Sequence, residues 1–169
     1  MNVKKFKDFQ SEDRKDTKVI SAFAGCGKSS YHKENPETTL DSDSIKFSWL
    51  VDDKGNKVRD PDFPSNYIDN IKQNIGKYDI IFVSQHENVR DMLSKNDIVY
   101  YLVYPEINMK DEYLKRYKER GNDTDFIKLL DTNWDKWITD LDNLKEDGSF
   151  IRMKMTKDCP YITNVIEKL

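Results

Sequence analysis

Cysteine, glycine and proline are scarce in this sequence of 169 residues, which contains two, six and five of them. The two cysteines, Cys26 and Cys159, lie far apart and do not form the framework of a small secreted disulfide protein. No apolar run is long enough to cross a membrane, and the Lys- and Asp-rich beginning has no apolar segment typical of a signal peptide. These absences predict a protein of a reducing compartment, the cytoplasm, with no membrane partner.

An excess of positive charge is also lacking. Charged residues make up 35% of the chain, yet the formal net charge is −3. Binding of an extended nucleic-acid duplex by charge alone needs a basic groove, which this balance does not favour. A small anionic ligand or a short single-stranded end remains compatible, and the length predicts one domain over residues 1–169.

The segment Ser21–Ser30, with the sequence SAFAGCGKSS, follows the apolar pair Val19–Ile20 and is typical of a phosphate-binding loop. In such loops glycines let successive N–H groups point at phosphate oxygens, a lysine reaches the β- and γ-phosphates, and a hydroxyl completes the Mg²⁺ shell. We expect ATP to contact Ala24, Gly25, Cys26, Gly27, Lys28, Ser29 and Ser30, with Ser29 on Mg²⁺. The full motif has glycine where Ala22 stands, and the alternative is a glycine-rich turn with a solvated lysine.

Strands and helices alternate along the sequence, which predicts a parallel sheet covered on both sides. Predicted strands cover residues 18–23, 38–41, 80–83, 98–104 and 150–153. A short helix is expected from Lys28 to the stop at Asn35–Pro36, and the last helix is expected to hold Pro160 in its first turn. A charged prefix, residues 1–16, precedes the sheet. The expected fold is a three-layer α/β domain with a mainly parallel five-stranded sheet.

Asp41 and Asp43 follow the second predicted strand, at the sheet edge where ligands of such folds bind. A carboxylate there can orient an acceptor hydroxyl and take its proton, or hold water on Mg²⁺. Asp43 is a candidate for that water-mediated metal contact, and the alternative for both residues is a turn or helix cap.

Ser84, Gln85 and His86 follow the third predicted strand in the same way. His86 is either a general base or the cap of the next helix. No aspartate ends the apolar run Ile80–Val83, as one does in motor ATPases, which favours a small kinase.

Arg116 and Arg120 lie four residues apart on a predicted helix that breaks at Gly121, so both guanidinium groups share one face. Fixed, planar charges near a breakable segment suit a lid, near residues 113–125, that closes on transferring phosphates. The alternative is a solvated basic face.

Residues 45–76 form a looser insert that we expect on the acceptor side. Its candidates for substrate binding are Phe47, Trp49 and Arg59, with aromatic faces for a base and a guanidinium for a phosphate. Packing into a satellite core is the alternative for the aromatic rings. Trp134 and Trp137 are predicted to be core residues and His32 to be solvated.

With these segments placed, the chain resembles the P-loop nucleotide and polynucleotide kinases, and most closely small nucleotide-kinase-like proteins encoded by phages of Gram-positive bacteria. The residues that carry the resemblance lie in the ranges 20–29, 40–49 and 113–122. The resemblance implies a P-loop NTPase fold and a bacterial host cytoplasm. It places Asp41 or Asp43 where polynucleotide kinases have the base for a 5′-hydroxyl, and Arg59 where monophosphate kinases hold an acceptor phosphate.

The expected function is transfer of the γ-phosphoryl group of Mg-ATP to a nucleoside, a nucleotide or a 5′-hydroxyl nucleic-acid end. Lys28, Asp41, Asp43, Arg116 and Arg120 are the expected catalytic residues. The alternative is a nucleotide-binding regulatory module or weak ATPase without an acceptor. A third hypothesis is an interaction domain whose loop binds only stray phosphate.

Overall fold

The computed structural model describes residues 15–169, and most of the charged prefix at 1–16 lies outside them. Five strands form one sheet: β1 (Lys18–Ala22), β2 (Thr39–Asp41), β5 (Ile80–Val83), β6 (Tyr100–Pro105) and β7 (Phe150–Met155), in the spatial order β2-β5-β1-β6-β7. Each neighbouring pair in this sheet runs parallel. The predicted α/β class and the five-stranded parallel sheet are therefore confirmed.

The central strands are buried on both faces. All four residues of β5 are buried, as are the last four of β1. Strands whose side chains are buried on both sides are apolar throughout, because helices cover each face of a parallel sheet. This is the reason Ile80–Val83 has no polar residue, while Val19–Ala22 has only the buried Ser21.

The helices connect these strands in chain order. Their bounds are α1 Lys28–Glu34, α2 Ile45–Ser48, α3 Ser65–Asn74, α4 Glu87–Lys95, α5 Lys110–Glu119, α6 Thr124–Asp142 and α7 Ile162–Ile166, with a 3₁₀ turn at Ile107–Met109. The short α1 ends at Glu34, one residue before Asn35–Pro36, as predicted. Helix α6 begins where Asp123 caps it, its carboxylate accepting a bond of 2.7 Å from the Phe126 amide. None of the helices between residues 15 and 169 is both long and apolar enough to cross a membrane.

Strands β3 (Trp49–Val51) and β4 (Lys57–Arg59) form a separate antiparallel hairpin inside the predicted insert. Its turn is fixed by Asp52, whose carboxylate accepts from the amides of Lys54 at 2.9 Å and Asn56 at 2.8 Å.

Besides shifts of one or two residues at the ends of β1, β2 and β7, three details differ from the sequence predictions. Strand β6 runs from Tyr100 to Pro105 and not from Ile98, because the turn after α4 occupies the residues before it. Pro160 precedes α7 by two residues and is not in its first turn. His32 is half-buried and not solvated, since its Nδ1 lies 2.8 Å from the Thr39 hydroxyl.

The sheet order places a topological switch point beside β1. The chain leaves β1 toward β2 on one side, whereas it leaves β5 and crosses β1 to reach β6 on the other. In open parallel sheets, ligands bind in the crevice outside the carboxyl ends of the strands at such a point. Here that crevice lies between the segments that follow Ala22 and Val83.

Candidate phosphate-binding site

The loop between β1 and α1 turns on two glycines in left-handed conformations. Gly25 has φ of 81° and Gly27 has φ of 102°. Such values are accessible to glycine at little cost and strain other residues. A Cβ at Gly25 would also lie 2.9 Å from the Tyr117 hydroxyl, so glycine is required there by space as well as by conformation.

The carbonyl groups of this loop are bonded to donors in the protein. Lys28 Nζ donates to Ala22 O at 3.0 Å, the Tyr117 hydroxyl donates to Ala24 O, Arg116 Nη1 donates to Gly25 O at 3.1 Å, and the Ile162 amide donates to Cys26 O at 2.9 Å.

The amide groups of the loop, in contrast, have no main-chain acceptor in the described part of the chain. Within residues 15–169, no N–H group from Ala24 to Ser30 donates to a backbone carbonyl, whereas the neighbouring Phe23 and Tyr31 amides both do. Successive unbonded amides in a turn form an anion-binding concavity. The residues predicted to bind nucleotide phosphates therefore lie in a loop whose amides are available.

Cys26 is the buried member of this loop. Burial raises the pKa of its thiol, although the charges of Lys28 and Arg116 act in the opposite direction. The thiol therefore stays protonated at neutral pH and packs as a small apolar group.

Ser29 and Asp41 lie together at the start of α1. The Ser29 hydroxyl donates to Asp41 Oδ2 at 3.3 Å, which joins the loop to the end of β2. Asp43 has a different partner: its Oδ1 accepts a bond of 2.9 Å from the Ile45 amide at the start of α2. Both carboxylates line the cavity at the loop, but only Asp41 contacts the loop directly.

Tyr67, buried on α3, ties the polar ends of two strands together. Its hydroxyl donates to Ser42 O at 2.7 Å and accepts from the Ser84 amide at 3.1 Å. Burial raises the pKa of this hydroxyl to about 12. The hydroxyl thereby fixes the distance between the Asp41–Asp43 segment and the Ser84–His86 segment.

His86 stands at the N-terminal boundary of α4 and lines the same cavity. Partial burial lowers the pKa of its imidazole, and the positive charges of Arg59 and Lys28 lower it further. The ring is therefore neutral at pH 7 and able to accept a proton, and its side chain makes no capping hydrogen bond.

Arg116 on α5 and Arg120, the residue directly after that helix, have different environments. Arg116 is 11% exposed, forms an ion pair with Glu112 and donates to Gly25 O and Pro160 O. Arg120 is exposed at the end of the helix and lines the cavity. Tyr113 and Tyr117 on the same helix are fully buried, so the first part of the lid-like segment packs on the core.

A second, smaller cavity lies beside the first and holds two of the three predicted acceptor residues. It has a volume of about 220 Å³, and its walls include Trp49, Arg59, Phe63 and His86. The Arg59 guanidinium lies 4.7 Å from the centre of the Trp49 ring and 5.7 Å from that of Phe63. Among residues 15–169 Arg59 forms no ion pair, so its charge is available to an anion.

Phe47 does not line either cavity. Its ring is half-buried and packs on Tyr67 with the ring centres 5.2 Å apart. The packing alternative therefore describes Phe47, and substrate contact is left to Trp49 and Arg59.

Sequence reasoning missed further residues of the main cavity. Among them are Arg90 on α4, Tyr161 before α7 and Trp137 on α6, whereas Gln85, which follows β5 as predicted, lines it too. Trp137 was expected in the core, but it is only half-buried, whereas Trp134 is buried as expected. Arg90 could have been found from its position, because it lies four residues after His86 and therefore one helical turn into α4, on the side of the candidate site.

The main cavity has a volume of about 1320 Å³. This is at the upper end of, and somewhat above, the roughly 300–1,000 Å³ of usual small-molecule sites. Within the described residues, no three His, Cys, Asp or Glu side chains are grouped to hold a metal ion. Ser29 and Asp41 nevertheless offer the oxygen ligands that suit a Mg²⁺ ion arriving with phosphates.

A comparison of the sequence with protein-family models finds no match, and a comparison with curated proteins finds none either.

Proposed function

We propose that this protein is a P-loop phosphotransferase that moves the γ-phosphoryl group of Mg-ATP to a nucleoside, a nucleotide or a 5′-hydroxyl nucleic-acid end. The observation that carries the proposal is the loop Ala24–Ser30, whose amides are free of backbone partners while its carbonyls are bonded. A loop of this kind, at the switch point of a parallel sheet and followed by Lys28 and Ser29, is a site for phosphate oxygens.

Each residue of the loop region has a defined part in this proposal. The amides of Ala24–Ser30 and the Lys28 ammonium would bind the β- and γ-phosphates and stabilise the charge that develops between donor and acceptor. Ser29 and Asp41 would hold Mg²⁺, which supplies charge neutralisation of the phosphate oxygens. Arg120, exposed at the cavity wall, is the arginine free to approach the phosphates.

The acceptor would lie on the β5 side of the loop. The smaller cavity opens beside His86 and Ser44, which also line the main cavity, so the two spaces adjoin. At about 220 Å³ it is smaller than the usual 300 Å³ or more of a whole-ligand pocket, and it would hold part of an acceptor. Arg59 offers that part a guanidinium and Trp49 offers it an aromatic face.

A proton acceptor for the incoming hydroxyl is available at this junction. Asp41, Asp43 and the neutral His86 imidazole all line the cavity. Because Asp43 Oδ1 is bonded to the Ile45 amide, we assign the metal-side role to Asp41 and leave Asp43 and His86 as candidates for the base.

The direct test is transfer of labelled γ-phosphate from Mg-ATP to a panel of nucleosides, ribo- and deoxynucleoside monophosphates and a 5′-hydroxyl oligonucleotide. We expect label on one acceptor class, at least 100-fold reduced in Lys28→Ala, because the loop lysine supplies charge in the transition state. Lys72→Ala, which removes an exposed lysine of α3 far along the chain from the loop, is the matched control.

Two other results would reject this function. Label released only as free phosphate would identify a slow ATPase or regulatory module. If 1 mM ATP produced no rise in melting temperature, nucleotide binding itself would be rejected, since binding at a hundredfold excess over Kd stabilises by about 2.7 kcal/mol.

A further inference from the structure

We infer that Arg116 is a positioning residue that holds the phosphate-binding loop in its anion-binding form, and that it does not move as a lid to contact phosphates. The inference deepens the proposed function and rests on it for the identity of the ligand. It concerns the carbonyl side of the loop, which the sequence motif does not describe.

The Arg116 guanidinium is held by three acceptors from three parts of the chain. It donates to Gly25 O at 3.1 Å, to Pro160 O at 2.9 Å and to the Glu112 carboxylate. It also lies between two aromatic rings, 4.7 Å from the centre of Tyr113 and 4.3 Å from that of Tyr161. A side chain with these contacts would have to break all of them to reach a phosphate.

Tyr117, the residue after Arg116 on α5, bonds the carbonyl group that precedes Gly25 O in the chain. Tyr117 is buried, and its hydroxyl donates to Ala24 O while filling the space beside the Cα of Gly25. Arg116 and Tyr117 thus bond the consecutive carbonyls of Gly25 and Ala24 from the same helix. We call this pair of contacts the carbonyl clamp.

The clamp determines which way the loop amides face. The C=O and N–H of one peptide unit point in opposite directions, because the unit is planar and trans. When Arg116 and Tyr117 hold the carbonyls of Ala24 and Gly25 toward α5, the following N–H groups of Gly25 and Cys26 face away from α5. An anion then meets amides already oriented, which avoids the cost of ordering the loop on binding.

The first experiment needs no ligand. In the full-length ¹⁵N-labelled protein without nucleotide, we expect backbone order parameters of about 0.85 for the amides of Gly25 and Gly27. Arg116→Lys should lower them below about 0.6, because a lysine ammonium lacks the planar fork that reaches two carbonyls at once. The matched control is Arg152→Lys, which alters another partly buried arginine bonded to main-chain carbonyls and a glutamate, away from the loop.

Two smaller substitutions keep the test valid if Arg116→Lys fails to fold. Tyr117→Phe removes only the hydroxyl bonded to Ala24 O, and Tyr104→Phe removes an equivalent hydroxyl bonded to Asp142 at 2.7 Å. We expect loop order to fall in the first variant and to stay at the wild-type value in the second. Wild-type order parameters in Arg116→Lys and Tyr117→Phe would overturn the inference, and so would a loop that is already disordered in the wild-type protein.

The second readout separates this inference from the proposed function. Titration with Mg-ATP should show at least a tenfold weaker Kd in Arg116→Lys, in parallel with the loss of loop order. Weaker binding with unchanged loop order would mean that Arg116 contacts phosphate directly, and would overturn the inference. A wild-type loop that loses order in Arg116→Lys but binds no nucleotide would reject the proposed function and leave the carbonyl clamp in place.

Discussion

Replacing Gly25 by alanine tests the geometry of the loop most directly, because two separate costs can be estimated from the structure. The residue has φ of 81°, and an L-residue in the left-handed region costs about 1–2 kcal/mol. The new Cβ would also lie 2.9 Å from the Tyr117 hydroxyl and 3.0 Å from its ring carbon Cζ. Forcing a methyl group into a packed site costs about 1–3 kcal/mol. The expected destabilisation is therefore about 2–5 kcal/mol.

Gly121→Ala is the matched control for the cost of placing an alanine in the left-handed backbone conformation. Gly121 has φ of 75°, and a Cβ built there meets nothing within 4 Å. Only the left-handed conformation is penalised, so the expected cost is about 1–2 kcal/mol. The difference between the two variants measures the contact between the loop and Tyr117.

The assay is urea and thermal unfolding followed by circular dichroism, without nucleotide. At about 2–4 °C per kcal/mol for a chain of this size, the melting temperature should fall by about 10 °C in Gly25→Ala and by about 4 °C in Gly121→Ala. Combining Gly25→Ala with Tyr117→Phe should cost less than the sum of the single changes, because the nearest atom has been removed. Equal shifts in the two alanine variants, or strict additivity, would refute the contact between the loop and α5.

Three other predictions concern the residues around the loop. Asp41→Asn should raise the magnesium concentration needed for half-maximal turnover at least tenfold more than Asp43→Asn, measured by magnesium titration, because only Asp41 contacts Ser29. Tyr67→Phe should destabilise the protein by about 1–3 kcal/mol in urea unfolding, since the Ser42 carbonyl and the Ser84 amide lose their shared partner. Burial also raises the pKa of Tyr67 to about 12, so its contribution to stability is complete below pH ~10 and is lost as the pH rises through about 12. Urea midpoints measured from pH 8 to 11.5 should therefore fall with rising pH, and less steeply in Tyr67→Phe.

Most of the sheet could be predicted from the sequence because its strands are marked by local patterns. Runs such as Ile80–Val83 are apolar without alternation, which indicates burial on both faces, and Asn35–Pro36 is a local stop for α1. The errors fall at element ends. Pro160 was placed inside the last helix, but the Ile162 amide bonds to Cys26 O, and that contact with a distant loop places the helix start.

The candidate site was predictable to the level of residue type but not of role. Asp41 and Asp43 lie at the end of β2 and just after it, and nothing in their spacing shows which will face Ser29 and which will accept a bond from the Ile45 amide. Phe47 and Trp49 are aromatic residues two positions apart, yet one packs on Tyr67 and the other lines a cavity with Arg59. These outcomes depend on where α3 and the β3–β4 hairpin pack, which local sequence does not encode.

Arg116 shows how a tertiary contact can reverse a role inferred from spacing. The i,i+4 pair with Arg120 predicts a shared helix face, and the break at Gly121 suggests mobility. However, Tyr113 and Tyr117 on the same helix are buried, and this orients α5 so that Arg116 bonds a loop carbonyl. Arg120, after the end of the helix, remains exposed. An anion-binding loop needs acceptors turned away from the anion as much as donors turned toward it, because both belong to the same planar peptide units. The phosphate-binding motif names the donor side alone. The residues that hold the other side lie some ninety positions along the chain, and only the folded structure brings them there.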